Sequence, residues 1–176
     1  MKRPTFFPAV AAILFAILML TPLSASAQFE RGEKSIGPKI GYVDKNTSAS
    51  AGLVFHYSFS SHLRVAPEIG CVFKHRNMDA FTIDFNFHTP FTFTGEKAAL
   101  YPLAGLNYSS WNRTLPRELF DADDDITTRS SRFGLNLGAG FELRCSKTLK
   151  CGIEAKYTLI KSYSGAYVAA MVCYIF

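Results

Sequence analysis

Three groups of residues in this 176-residue chain have types and spacing that could do chemistry. His56-Tyr57-Ser58 sets an imidazole and a hydroxyl two positions apart, which on an extended strand points both to one face; a carboxylate beside them would complete a hydrolytic triad. Asp121, Asp123 and Asp125 repeat the spacing of the first calcium ligands of an EF-hand loop. Cys145 and Cys151 flank a short polar stretch and are the candidates for a disulfide, which needs Cβ atoms about 4 Å apart. Each group has a plainer reading. The His-x-Ser pair has no clear acidic third member. The aspartates meet Ile126 where the calcium loop needs Gly and Arg132 where it needs a bidentate Glu, so a solvated loop accounts for them. The other cysteines, Cys71 and Cys173, read as small apolar fillers, and the four lack zinc-ligand spacing. No catalytic residue, cofactor site or metal site is therefore expected.

The elements that would position these groups begin after an export signal. Met1-Lys2-Arg3 is basic, residues 9–20 form an apolar run, and Ala25-Ser26-Ala27 supplies small residues for cleavage between Ala27 and Gln28. The run is too short for a membrane helix, which needs about 20 apolar residues. Residues 1–27 are thus expected to be a signal peptide, and 28–176 a single domain. Export implies an oxidising compartment, where cysteines can pair. The net charge of +5 falls to +3 without Lys2 and Arg3, which argues against nucleic acid.

Period-two alternation dominates the mature chain. Phe81, Ile83, Phe85, Phe87, Phe91 and Phe93 alternate with Thr82, Asp84, Asn86, His88 and Thr92. Phe133, Leu135, Leu137, Ala139, Phe141 and Leu143 alternate with Gly134, Asn136, Gly138, Gly140, Glu142 and Arg144. Residues 151–159, 49–59 and 63–73 follow the same rule, and 36–43, 98–108 and 165–176 do so more weakly, the last being apolar on both faces. The sum is eight antiparallel strands, an all-β up-and-down transmembrane barrel. Tight turns at 60–62, 94–97 and 146–148 would face the periplasm. The long connection 110–130 and the shorter ones at 44–47, 74–77 and 161–164 would face outward.

A soluble lipocalin-like barrel in the periplasm would have the same alternation with its faces reversed. The polar face decides between them. Lys39, His56, Arg64, Glu68, Asp84, Glu142, Arg144, Glu154 and Lys156 share it with many Gly and Ser residues, a composition suited to a narrow lumen closed by paired charges. Aromatic residues at strand ends, Tyr42, Phe73, Tyr108 and Trp111 at one rim and Phe59, Phe93, Tyr174 and Phe176 at the other, would form interfacial girdles.

Gly37-Pro38-Lys39-Ile40-Gly41-Tyr42, Tyr101-Pro102-Leu103-Ala104-Gly105-Leu106-Asn107-Tyr108 and the strand from Phe133 resemble the small outer-membrane barrel family, which includes OmpX and the membrane domain of OmpA. Val172, Tyr174 and Phe176 look like that family's C-terminal signal, read by the barrel-assembly machinery. The resemblance implies the bacterial outer membrane, contact with lipid and lipopolysaccharide, and a structural or surface-interaction role through external loops whose partner is unknown. His56-Tyr57-Ser58 is also similar to the His-x-Ser of lipid A deacylase barrels, though Phe59 replaces the Asn that follows there. A lipid A-modifying enzyme or a narrow pore is accordingly the alternative, and the soluble lipocalin-like binding barrel the second.

Overall fold

The structure, a computed structural model, describes residues 30–93, 97–115, 126–161 and 163–176. Residues 1–27 with the Ala27/Gln28 cleavage site, and Asp121, Asp123 and Asp125, lie outside these. The described chain is strand throughout: β1 (Lys34–Val43), β2 (Ser48–Ser58), β3 (Arg64–His75), β4 (Met78–His88), β5 (Phe91–Phe93), β6 (Ala98–Leu115), β7 (Ile126–Arg144), β8 (Leu149–Ile160) and β9 (Gly165–Ile175). All neighbours pair antiparallel. β1 pairs with both β2 and β9, and β4 pairs with β6, so the sheet closes on itself. β5 continues the wall of β4, which leaves eight walls around the barrel, as the alternation predicts.

That alternation resolves into an apolar outer surface and a polar lumen. Ile40 is 65% exposed, Phe85 43%, Leu106 59% and Ile153 59%, while Lys39, Arg64 and Glu154 on the opposite face are at most 2% exposed. Greasy residues outside and charges inside are the arrangement for lipid, the reverse of a water-soluble barrel.

Three boundaries differ from the sequence reading. The aromatic stretch 81–93 is not one strand, because Pro90 cannot donate to a ladder; pairing stops at His88 and resumes at Phe91, with Thr89 donating to the Pro102 carbonyl. The connection 74–77 shrinks to a two-residue turn: Arg76 (φ 49°) and Asn77 (φ 59°) both adopt the left-handed region that tight hairpins use, and the register shifts between Val72 and His75 just before it. In the connection 110–130, the described residues 110–115 and 126–130 are ladder. β6 and β7 pair without a break from Ala98↔Leu143 to Leu115↔Ile126, carrying a hairpin well past the other strands. Beyond the neighbouring strands neither face of the hairpin closes a lumen, so this extension has no alternation to announce it.

Gly140 marks a place where a side chain would not fit. It lies opposite Tyr101, whose ring occupies the space a Cβ would take. The ring thereby lies over β7 and reaches Glu154 on β8.

Candidate functional site

The candidate site is the lumen, together with the hairpin that rises from its rim. Because successive side chains alternate, every second residue of eight strands must share a cylinder just wide enough for side chains. Charges forced into that space must find partners, since an unpaired buried ion is strongly destabilising.

They do so as a continuous chain. At the rim that holds both termini, Glu33 pairs with Arg144 and, at 3.5 Å, with Lys150. Lys150 lies 3.7 Å from Glu142, and Arg64 Nη1 donates to both carboxylate oxygens of Glu142 at 2.8 Å. The Arg64 guanidinium sits over the Tyr101 ring at 4.8 Å and within 3.0 Å of His88 Nδ1. Tyr101 donates to Glu154 (3.3 Å), which accepts from Lys39 (2.6 Å); Lys39 also donates to Glu68 (2.9 Å). Lys156 then joins Glu68 (3.1 Å) to Asp84 (2.7 Å), where Asn107 (2.5 Å) and Asn136 (2.9 Å) complete the shell. Among the described residues, five carboxylates thus meet five cations, from the rim at Glu33 as far as Asp84 and Lys156.

The sequence-selected residues are therefore brought together. Lys39, Arg64, Glu68, Asp84, Glu142, Glu154 and Lys156 are buried in this network, and Arg144, with 31% of its side chain exposed, closes the rim. His56 is buried too, but it stands beside the ionic chain: its Nδ1 is 3.3 Å from Ser35 Oγ, and its Nε2 and the Ser58 hydroxyl have no hydrogen-bond partner among the described residues. His56 and Ser58 consequently form no proton relay with each other.

Glu33, Lys150, His88 and Tyr101 were not among the selected residues. Lys150 was within reach, since carrying the alternation of β8 one step back from Gly152 puts it on the polar face. Tyr101 was hidden because the inward positions of β6 include Leu103, and those of β9 include Met171 and Cys173. These pack with Val54 and Ala66 as a small apolar core inside the lumen. That core is also why β9 reads as apolar on both faces.

Toward the other rim the lumen opens into a cavity of about 60 Å³ lined by Ser50, Glu68, Asp84, Asn107 and Lys156. This is room for a few waters and no more. Trp111 closes it. The sequence reading put Trp111 in an interfacial girdle, but it is 4% exposed and points inward, stacking on Tyr163 at 5.4 Å and donating to Ser109 Oγ (3.1 Å). Its odd-numbered position on β6 belongs to the inner face, which outweighs its preference for the interface. Tyr42, Phe73, Phe59, Tyr174 and Phe176 do face outward, and Tyr108 lies half-buried against Phe133. The side chain of Phe93 lies outside the described residues.

The four cysteines are free thiols. Cys71 is exposed on the outer face and Cys173 buried in the lumen. Cys145 and Cys151 sit on the outer face of the β7–β8 turn, unbonded to each other. Val172, Tyr174 and Phe176 share the outer face of the final segment at 47%, 54% and 61% exposure.

A lumen filled this way should not conduct. Reconstituted in a planar bilayer, the wild-type barrel is expected to give no single-channel steps at moderate voltage. Stable ohmic openings would mean that the ionic chain is not closed.

No protein-family model matches the chain, and no curated protein matches it by sequence. Solved structures do. The N-terminal β-barrel domain of OprF from Pseudomonas aeruginosa superimposes with a TM-score of 0.62 at 14% identity, covering 83% of this chain and 98% of that one. Neisserial surface protein A gives 0.60 at 13% identity, covering 82% and 95%. Ail, the attachment invasion locus protein of Yersinia pestis, gives 0.59 at 17% identity, covering 84% and 100%. The chain has the fold of these small OmpA/OmpX-like outer-membrane barrels. At such identities the likeness is one of fold, and function must be argued from the chain's own surfaces.

Proposed function

We propose that this protein resides in the bacterial outer membrane as a non-enzymatic barrel, closed to transport, whose task is recognition by the β6–β7 hairpin at the cell surface. The observation that carries this reading is the free edge of that hairpin. β8 ends at Ile160, opposite Gly134, so among the described residues β7 has no strand neighbour on that side from Ile126 to Phe133. Its other edge is covered, since β6 pairs with β4 as far as Met78↔Arg113. Soluble proteins blunt such edges because unpaired N–H and C=O groups template the addition of another strand. Here the edge is left open and flanked by exposed Thr127, Thr128, Arg129, Ser131 and Arg132, with Phe133 80% exposed at its foot. An extended segment of a partner, adding main-chain hydrogen bonds to this edge, is the mode of binding it suits.

The other contacts follow from the remaining surfaces. The apolar belt meets lipid, the basic side chains near the distal rim meet lipopolysaccharide, and Val172, Tyr174 and Phe176 present their outward face to the barrel-assembly machinery during insertion. Two of the solved structures of like fold are named for attachment and for the cell surface, which accords with recognition outside the membrane.

Orientation is the first thing to test. In a variant whose four native cysteines are serine, Ser131→Cys is expected to react with a membrane-impermeant maleimide on intact cells. Ser61→Cys, in the β2–β3 turn, is expected to react only after the outer membrane is permeabilised. The opposite pattern, or recovery of the protein in the periplasmic fraction with unchanged gel mobility on heating, would overturn the proposal.

A further inference from the structure

The β7–β8 turn carries a pair of thiols that the lumen network does not use. We propose that Cys145 and Cys151 are a redox pair that closes as an intramolecular disulfide across this turn, with Cys145 as the attacking thiol.

The register supports the pairing. Leu143 lies opposite Cys151, and Cys145 donates its backbone N–H to the Leu149 carbonyl at 2.9 Å, so positions 143, 145, 149 and 151 share the outer face and the two cysteines are diagonal neighbours. The Cys145 thiol points back along its own strand, 3.7 Å from the Leu143 carbonyl, toward the residue that Cys151 faces. A diagonal pair is wider than a disulfide needs. The gap is closed by adjusting residues 146–148, which are held locally by the Ser146 and Thr148 hydroxyls at 3.4 Å. Neither remaining cysteine competes, because Cys71 lies on β3 and Cys173 is buried inside the barrel.

Exposure sets the order of events. Cys145 is exposed and Cys151 half-buried, so a disulfide oxidant meets Cys145 first. The Cys145 thiolate attacks one sulfur of the oxidant, forming a mixed disulfide and releasing one thiol. The Cys151 thiolate then attacks the Cys145 sulfur, expelling the second thiol. The two protons and two electrons of the protein thiols end on the oxidant, which leaves as two thiols, so the exchange balances. The bond would brace a turn that holds the end of the chain: the Thr148 carbonyl accepts from Ile175 N–H at 2.8 Å, and Arg144 anchors Glu33.

Oxidation in cells rests on the export proposed above, whereas closure of the pair is testable on purified protein. Lys147 and Lys150 separate the cysteines, so trypsin puts them on different peptides, 145–147 and 151–156. Full-length barrel in detergent is to be incubated with oxidised glutathione, alkylated, digested without reductant and analysed by mass. The expected result is those two peptides joined by a disulfide, lost on reduction and lost in Cys151→Ser, which should instead retain glutathione on Cys145. Recovery of both peptides singly alkylated, or of Cys145 bonded to Cys145 of a second chain, would overturn the proposal. So would protection reversed by a chelator but not by a reductant, which would mark a soft-metal site.

Discussion

Replacing Arg64 with alanine is expected to destabilise the barrel by about 3–5 kcal/mol, the cost of leaving a buried carboxylate without its partner. Arg64 is fully buried and holds both oxygens of Glu142, with His88 and Tyr101 on its flanks. Lys150 stands 3.7 Å from Glu142, beyond hydrogen-bonding distance, and also serves Glu33 beside Arg144, so Glu142 would lose both of its short contacts and keep one distant ammonium. Equilibrium urea unfolding in lipid vesicles, followed by tryptophan fluorescence and by the shift in gel mobility on heating, measures the loss. The double variant Arg64→Met/Glu142→Leu should recover much of it, because replacing a buried pair by apolar groups of similar volume is often neutral. If Arg64→Ala alone cost less than about 1 kcal/mol, as exposed ion pairs do, the lumen would be hydrated enough to solvate Glu142, and the closed plug would be wrong.

What could be read from the sequence divides along the same physical line as the molecule. Wherever a strand separates lipid from a charged lumen, the two faces differ so strongly in polarity that Phe85 and Asp84, or Ile153 and Glu154, declare their sides one residue at a time. Lumen membership of Lys39, Glu68 and Lys156 followed from that alone. The pairing among them did not, since it depends on which residues the strand stagger sets at one height. Where both faces meet similar surroundings, the pattern fades. The inward faces of β6 and β9 carry Leu103, Met171 and Cys173, and beyond the ends of the neighbouring strands β6 and β7 run on through Ser, Thr and Arg. There the ladder forms because the backbone of each strand satisfies the other, and nothing in the side chains reports it. The hairpin edge, on which the proposed recognition depends, lies in that silent stretch. Trp111 shows the converse error: an aromatic residue near a strand end invites a girdle assignment, yet its parity on the strand sends it inward to roof the cavity.

A single charge on the outer wall offers the sharpest separation of a lipid-facing from a water-facing surface. Phe85 lies midway along the wall formed by β4 and β5, is 43% exposed, and meets Phe87 edge-on at 5.3 Å. Its backbone neighbours are Pro67 on β3 and Leu106 on β6, so the surrounding surface is apolar too. In a bilayer, Phe85→Arg is expected to destabilise the barrel by about 2–4 kcal/mol, the range for a cation at the midplane of an outer-membrane wall. The same change nearer a rim, at Phe73 or Tyr42, should cost only about 0–1 kcal/mol, because the guanidinium reaches the interface there. The gradient is the informative quantity. On a protein facing water, all three positions would tolerate arginine alike, as surface substitutions generally do. Unfolding each variant in vesicles of one lipid composition therefore tests the membrane reading through depth: equal, small losses at Phe85, Phe73 and Tyr42 would show that the apolar belt does not lie in hydrocarbon.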